Sequence, residues 1–312
     1  YAINLLAVPA LALSGNWPVA AVLIVTERFG KAVRSPAKDV ILSHPASQIG
    51  RGWGFGVHEA MDQLGALAGP LIVAGVLLFN GNYRTGFAVL LIPAVLAICV
   101  LLVARFEYPE PDRFEKNAFA GIEMKGFPRV YWIYLAGVVL VAAAYADFAL
   151  ISYHFQSKGI VGMDMIPVFY AVAMAVDAVA ALAFGRLFDR AGIHVLAIPV
   201  ALSAFFAPLV FMGGFWTALL GMIAWGVGLG AQESIMRAAI AELIPTSRRG
   251  TAYGVFNLGF GVFWFLGSAL MGILYDTSIL YLVGFSVVLQ LAAIPIFLSI
   301  RKPARYVNAI KA

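Results

Sequence analysis

One stretch decides the fold class of this chain, namely residues 164–213, which read DMIPVFYAVAMAVDAVAALAFGRLFDRAGIHVLAIPVALSAFFAPLVFMG. Two apolar runs, 164–190 and 194–213, meet there at a short turn. A hydrocarbon core of about 30 Å is crossed by about 20 helical residues, and both runs are of that order. The stretch therefore predicts two transmembrane helices joined by a tight loop.

The same pattern extends outward over the whole chain. Of its 312 residues, 62% are hydrophobic and only 12% are charged, and the mean hydropathy is +0.91. A soluble fold cannot carry such a surface. Ten runs are predicted to span a bilayer: 1–14, 17–42, 52–79, 84–104, 128–155, 164–190, 194–213, 216–244, 251–275 and 278–300. We therefore predict an all-α, polytopic membrane protein.

One connection is longer than the others. Residues 105–127 contain prolines and charged side chains and are predicted to form a cytoplasmic linker. It divides the chain into residues 1–104, with four spans, and residues 128–301, with six. Residues 302–312 are predicted to be a cytoplasmic tail.

The basic residues fix the predicted orientation. Scored over alternate loops, seventeen Lys and Arg lie on one side of the membrane, while the other side has only Arg84 and Lys158. Cytoplasmic loops retain basic residues, so the first side, with the linker and the C-terminus, is predicted to be cytoplasmic, and the protein to lie in the cell membrane. The single cysteine, Cys99, excludes an intrachain disulfide.

An internal repeat relates the two parts of the chain. A shift of 198 residues places Arg51-Gly52-Trp53-Gly54-Phe55-Gly56-Val57 over Arg249-Gly250-Thr251-Ala252-Tyr253-Gly254-Val255. The second part has six predicted spans and the first has four, and Tyr1 begins within an apolar run. We therefore expect an N-terminal truncation, with this chain holding helices 3 to 12 of twelve.

Ionisable side chains within the spans are unevenly distributed. Each costs about 2.5–3.5 kcal/mol on insertion scales, so such residues are expected to avoid lipid and to face a polar path. Every third helix lacks them. The predicted cavity or proton-coupling residues are Arg28, Glu59, Asp62, Asp147, His154 and Asp177.

Two of these charges are predicted to pair. Arg28 and Asp62 each lie about 16 Å from a helix end, near the membrane midplane. Adjacent antiparallel helices could pair Arg28 with Asp62 or with Glu59, which lies three residues before Asp62. Two interpretations stay open, a structural ion pair and a carboxylate that exchanges a proton or meets a charged substrate.

Local motifs resemble those of the major facilitator superfamily. Gly185-Arg186-Leu187-Phe188-Asp189-Arg190-Ala191-Gly192 resembles its cytoplasmic loop motif G-x-L-x-D-R-x-G, and Arg28-Phe29-Gly30-Lys31 resembles its fourth-helix arginine motif. Gly56, Gly65, Gly69 and Pro70 resemble the fifth-helix motif of proton-linked antiporters, without its final Gly-Gly. The resemblance covers essentially the whole chain and implies a two-half helical bundle.

The resemblance implies secondary active transport by alternating access, with no cofactor. Gly185, Asp189, Arg190, Gly192 and Arg237 would form a gate, in which Asp189 meets the helix start near Gly250 or meets Arg237. The fifth-helix glycines would permit close helix contact and Pro70 a bend. We expect proton-coupled export of a small molecule by a monomer. The alternative is proton-coupled uptake of a sugar, an organic acid or another nutrient.

Two rival functions are considered. His58-Glu59-Ala60-Met61-Asp62 approximates the H-E-x-x-H zinc helix of an intramembrane metalloprotease, but Asp62 stands in place of the second histidine. A membrane receptor on a transporter scaffold is the other. Since the sequence has no Walker motif, ATP hydrolysis by this chain is not expected. A pI near 9.3 does not imply nucleic-acid binding in a mostly apolar chain, and no nucleic-acid partner is expected.

Overall fold

The computed structural model describes residues 2–80, 83–107, 126–162 and 165–300, and no strand occurs among them. The all-helical prediction is thus confirmed. Most of the predicted linker 105–127 and the whole tail 302–312 lie outside the described residues. The boundaries of the predicted domains stay predictions.

Apart from the interval 108–125, which lies outside the described residues, the helices follow one another with short connections. In chain order they are α1 (Ala2–Ala10), α2 (Trp17–Ile49), α3 (Arg51–Asn80), α4 (Tyr83–Val89), α5 (Leu91–Glu107), α6 (Arg129–Ala144), α7 (Phe148–Lys158), α8 (Ile166–Ala191), α9 (Ala197–Ser203), α10 (Phe206–Phe211), α11 (Phe215–Glu233), α12 (Ile235–Leu243), α13 (Arg249–Thr277) and α14 (Ile279–Ser299). Short 3₁₀ turns cover Leu11–Leu13, Gly192–Leu196 and Thr246–Arg248.

Several predicted spans differ from the observed helices. The run 17–42 continues as helix to Ile49, and the run 128–155 is broken between Ala144 and Phe148. Six helical stretches among the described residues are long and apolar enough to cross a membrane: Arg84–Ala104, Arg129–Lys158, Ile166–Phe211, Phe215–Leu243, Thr246–Thr277 and Ile279–Ser299. The protein therefore spans a membrane more than once, while the count of ten stays a prediction.

Two apolar clusters fill the interior of the later helices. One joins α6, α12, α13 and α14 around Tyr131, Tyr134 and Tyr253, and it extends to Phe55 of α3. The other joins α7, α8, α10 and α11 around Phe155, Phe206 and Trp225. Between α3 and α8 the contact is different in kind, since polar and glycine residues meet there.

Candidate functional site

At one end of the molecule, a carboxylate of α8 caps the start of α3. Asp189 Oδ1 and Oδ2 accept hydrogen bonds from the backbone N–H groups of Gly52 and Trp53, at 2.7 and 2.8 Å. The first N–H groups of a helix have no partner within the helix, and a negative charge is favourable beside them. We call this contact the Asp189 clamp. It joins a helix before residue 108 to a helix after residue 125.

The structure corrects the predicted partner of Asp189. The sequence predicts a contact with the helix start near Gly250 or with Arg237, whereas Asp189 contacts Gly52, which the repeat aligns with Gly250. The loop therefore reaches the equivalent helix of the other half. Gly50, with a φ of 105°, turns the chain sharply between α2 and α3. That turn brings the start of α3 to the end of α8.

Glycines allow α3 and α8 to approach closely behind the clamp. A Cβ atom at Gly52 would collide with the backbone carbonyl of Gly185, and one at Gly56 would collide with that of Ala181. Gly65 and Gly69 lie on the other side of α3 from Gly52 and Gly56, and no atom of the described residues outside their own helix lies within 4 Å of a Cβ added at either. The close contact predicted for Gly65 and Gly69 is therefore found at Gly52 and Gly56 instead.

Further charged residues surround the clamp. The Arg186 guanidinium lies 3.9 Å from the centre of the Trp53 ring, which is cation–π geometry. A cavity of about 440 Å³ at this end is lined by Ser47, Arg51, Phe188, Asp189, Arg190, Ala191, Gly192 and Glu242. The predicted gate residues Gly185, Asp189, Arg190 and Gly192 thus lie together, and Arg237 lies elsewhere.

A buried group of polar residues, which we call the carboxyl cluster, consists of Asp39, Glu59, Gln63, Asp177 and Arg237. The Gln63 side-chain amide donates to Glu59 Oε1 at 2.7 Å and to Asp177 Oδ2 at 3.0 Å. Arg237 lies 3.8 Å from Glu59 Oε2 and 4.0 Å from Asp39 Oδ2. The three carboxyl side chains are fully buried. The cluster therefore joins α2 and α3 to α8 and α12.

Negative groups outnumber positive ones in the carboxyl cluster. The cluster holds three buried carboxyls and one guanidinium, and the charge of Glu233, at the end of α11, acts on both Glu59 and Asp177. Within the described part of the chain, Glu59 Oε2 and Asp177 Oδ1 accept no hydrogen bond. Buried charge is costly unless it is compensated, and one guanidinium compensates only part of the negative charge that these carboxyls could carry.

The predicted pairing of Arg28 with Asp62 or Glu59 is not found. Arg28 Nε lies 3.3 Å from Glu27 Oε2, and its side chain is 72% exposed. Asp62, 55% exposed, lies 3.8 Å from Lys38 Nζ. Glu59 faces the buried side of α3 instead, because a step of three residues still rotates a side chain by about 60° around a helix. The cation that meets Glu59 is Arg237.

Comparison of the sequence with known proteins identifies the family of this chain. The family model of the Major Facilitator Superfamily matches residues 2–268. The chain belongs to the major facilitator superfamily. An uncharacterized protein of Mycobacterium tuberculosis is 40% identical over 309 residues, which is 97% of this chain and 76% of that protein. An uncharacterized MFS-type transporter of Methanocaldococcus jannaschii is 25% identical over 86% of this chain and 68% of its own length.

Two predicted cavity residues of this superfamily member lie away from the carboxyl cluster. Asp147 precedes α7 and accepts a hydrogen bond from the Leu150 N–H group at 3.2 Å. His154 is buried, and its Nδ1 lies 3.0 Å from the Tyr275 hydroxyl. Its ring also contacts Phe211. Of the predicted second-half cavity residues, only Asp177 belongs to the carboxyl cluster, where it shares the Gln63 amide with Glu59.

The sequence reasoning missed several residues that connect the two parts of this superfamily protein. Asp39 lies within the predicted span 17–42, three residues before its end, and was not counted among the charges inside spans; Gln63 was not considered because it carries no charge. Arg249, scored only as a loop cation, is buried and donates to the Ser43 hydroxyl at 3.1 Å. The repeat that aligns Arg249 with Arg51 was a signal that could have marked it.

Proposed function

We propose that this protein is a proton-coupled secondary transporter that exports a small molecule by alternating access. The observation that carries the proposal is the buried carboxyl cluster, in which Glu59 of α3 shares one amide with Asp177 of α8. Glu59 and Asp177 would exchange the proton, and Arg237 would hold the negative charge that remains.

The charge balance of the cluster supports a proton as the coupling ion. Arg237 is shared by Asp39 and Glu59, while within the described part of the chain the Asp177 carboxyl accepts a hydrogen bond from the Gln63 amide alone. Two buried carboxylates held together by one amide repel each other unless a proton neutralises one of them. Loss of that proton favours separation of α3 from α8, because separation admits water to both carboxylates.

The position of the cluster supports coupling of this proton to movement. Alternating access requires the two halves to part at one face and then at the other. The clamp and the cluster both lie on the α3–α8 contact, so parting there breaks the Asp189 hydrogen bonds and hydrates Glu59 and Asp177 together. Protonation and opening would then bias the same equilibrium.

The predicted setting belongs to the same proposal. The protein would lie in the cell membrane as a monomer, with its C-terminus and the Asp189 clamp on the cytoplasmic side, where the basic loops are concentrated. Its partners would be the lipid bilayer, protons and a small-molecule substrate. We propose that the substrate is exported, and measured gradient-driven uptake would replace that direction.

Flux in proteoliposomes tests the proposal. We would measure uptake and efflux of a library of cationic dyes, sugars and organic acids, with and without an imposed pH gradient. We expect gradient-driven export by the wild type, and loss of its dependence on the gradient in Glu59→Gln and Asp177→Asn. Asp276→Asn, at the exposed end of α13, is the matched control and should transport as the wild type does.

Each other result contradicts a stated part of the proposal. Gradient-driven import would make the protein a symporter. Flux of equal size with and without the gradient would exclude proton coupling, as would normal coupling in both cluster variants. Absence of flux for every compound would favour a receptor-like role.

A further inference from the structure

The helix pair α6–α7 is interrupted by a non-helical segment, Tyr145–Asp147. Three contacts from neighbouring helices fix this segment. The Ser286 hydroxyl donates to the Ala144 carbonyl at 2.7 Å, Trp225 Nε1 donates to the Ala146 carbonyl at 2.9 Å, and the Tyr145 hydroxyl donates to the Trp225 carbonyl. Broken helices at membrane depth are tolerated where they line a cavity or are buried in protein. The break therefore holds Asp147 in a defined position.

Asp147 opens onto a cavity of about 500 Å³ between the break and α13. Its walls are Asp147, Gly261, Trp264, Phe265, Ser268 and Ala269. No atom of the described residues lies within 4 Å of a Cβ added at Gly261, so this glycine leaves the mouth of the cavity wide. The volume is in the range of small-molecule sites, about 300–1,000 Å³.

The carboxylate in this cavity retains acceptor capacity. Asp147 Oδ1 accepts from the Leu150 N–H group, and Oδ2 accepts from the Ser268 hydroxyl. A carboxylate has about four acceptor positions, so two remain. No basic side chain of the described residues is recorded within 4.0 Å of it, in contrast to Glu59 in the carboxyl cluster. Asp147 is thus a half-buried carboxyl with no ion-pair partner within the described part of the chain.

An indole ring provides the second component of the site. Trp264 lines the same cavity and is held by edge contacts with Phe260, at 5.2 Å between ring centres, and with Tyr145, at 6.5 Å. The faces of aromatic rings, those of tryptophan most strongly, attract cations. The other walls are apolar or small. A carboxylate beside an indole in an otherwise apolar cavity attracts an organic cation.

We propose that this cavity binds the substrate through a cationic group, an amine or a quaternary ammonium, between Asp147 and Trp264. The inference rests on the proposed transport function and names its substrate class. An anion would be repelled by Asp147. A sugar would find few hydrogen-bonding partners, and a bare metal ion would find only one carboxylate.

Equilibrium binding without any gradient tests the site. The protein in lipid nanodiscs would be titrated with radiolabelled tetraphenylphosphonium, a permanent cation, and with triphenylphosphine oxide, a neutral compound of similar shape. We expect the wild type to bind the cation and to bind the neutral compound at least about tenfold more weakly. Asp147→Asn should weaken cation binding by about tenfold or more, and Trp264→Leu should weaken it by several-fold.

The variants separate charge from folding. Asparagine caps a helix about as well as aspartate does, so Asp147→Asn removes the charge and keeps the start of α7. Asp276→Asn and Trp216→Phe, both at exposed positions, are the matched controls and should bind as the wild type does. Equal binding of the two probes, or full binding by Asp147→Asn, would overturn the proposal.

This test is independent of the one for proton coupling. Tetraphenylphosphonium binding that depends on Asp147 would support the site even if no pH-driven flux were found, in which case only the transport proposal would fail. Absence of tetraphenylphosphonium binding to the wild type would overturn the site and leave the transport proposal intact.

Discussion

Two pairs of glycines on α3 have opposite surroundings. Beside the Asp189 clamp, Gly52 and Gly56 bring α3 and α8 into backbone contact, and charged residues surround them. Gly65 and Gly69 lie on the other side of α3, where no atom of the described residues outside their own helix lies within 4 Å of an added Cβ. The same residue type thus serves close packing on one side of the helix and meets no neighbour on the other. This structure is closed at the clamp, so opening there must break specific contacts.

The largest effect is expected from a side chain that fills the close contact between α3 and α8 at Gly52. Gly52→Leu would drive a side chain into the Gly185 backbone, which cannot move away as a flexible side chain could. Overpacking of this kind costs about 1–3 kcal/mol. We expect a clearly lower melting temperature in detergent and loss of the clamp-closed state. Gly65→Leu is the matched control. Equal destabilisation by Gly52→Leu and Gly65→Leu would mean that packing does not differ between these two positions.

A smaller effect is expected from Asp189→Ala, which leaves the Gly52 and Trp53 N–H groups without their acceptor. The side chain is exposed, so water replaces part of the lost interaction, and we expect a cost of about 1 kcal/mol. That cost would shift the ratio of clamp-open to clamp-closed molecules by about fivefold.

Spin-label distances measure this ratio. Labels would be placed at Ile41 and Ile198, two exposed positions on α2 and α9, after the exposed native Cys99 is replaced by serine. His194→Gln, an exposed change in the same loop, should leave the distance distribution unchanged. An unaltered distribution in Asp189→Ala would show that the clamp does not hold this end closed.

The sequence predicted the helices better than their contacts. Apolar runs near 20 residues long have one stable conformation in a bilayer, so the runs around 164–190 and 278–300 were located correctly. The charges of Glu59 and Asp177 marked the polar side of their helices, because a charged side chain in contact with lipid is costly. Their partners depend on helix rotation and on packing between distant parts of the chain, which no local pattern contains. Glu59 therefore meets Arg237 and not the predicted Arg28, and Asp189 meets the helix start at Gly52 and not the predicted one near Gly250.

The smallest effect concerns the Arg186–Trp53 pair beside the clamp. Trp53→Leu removes the aromatic face under the Arg186 guanidinium, and exposed cation–π pairs contribute about 0.5–1 kcal/mol. We expect a two- to fivefold shift toward the clamp-open state in the same distance measurement, at the precision limit of the method. Trp53→Phe keeps an aromatic face and should recover most of the wild-type distribution. If Trp53→Leu and Trp53→Phe gave the same shift, the contribution of Trp53 to the closed state would be the volume of its indole ring and not its attraction for the Arg186 guanidinium.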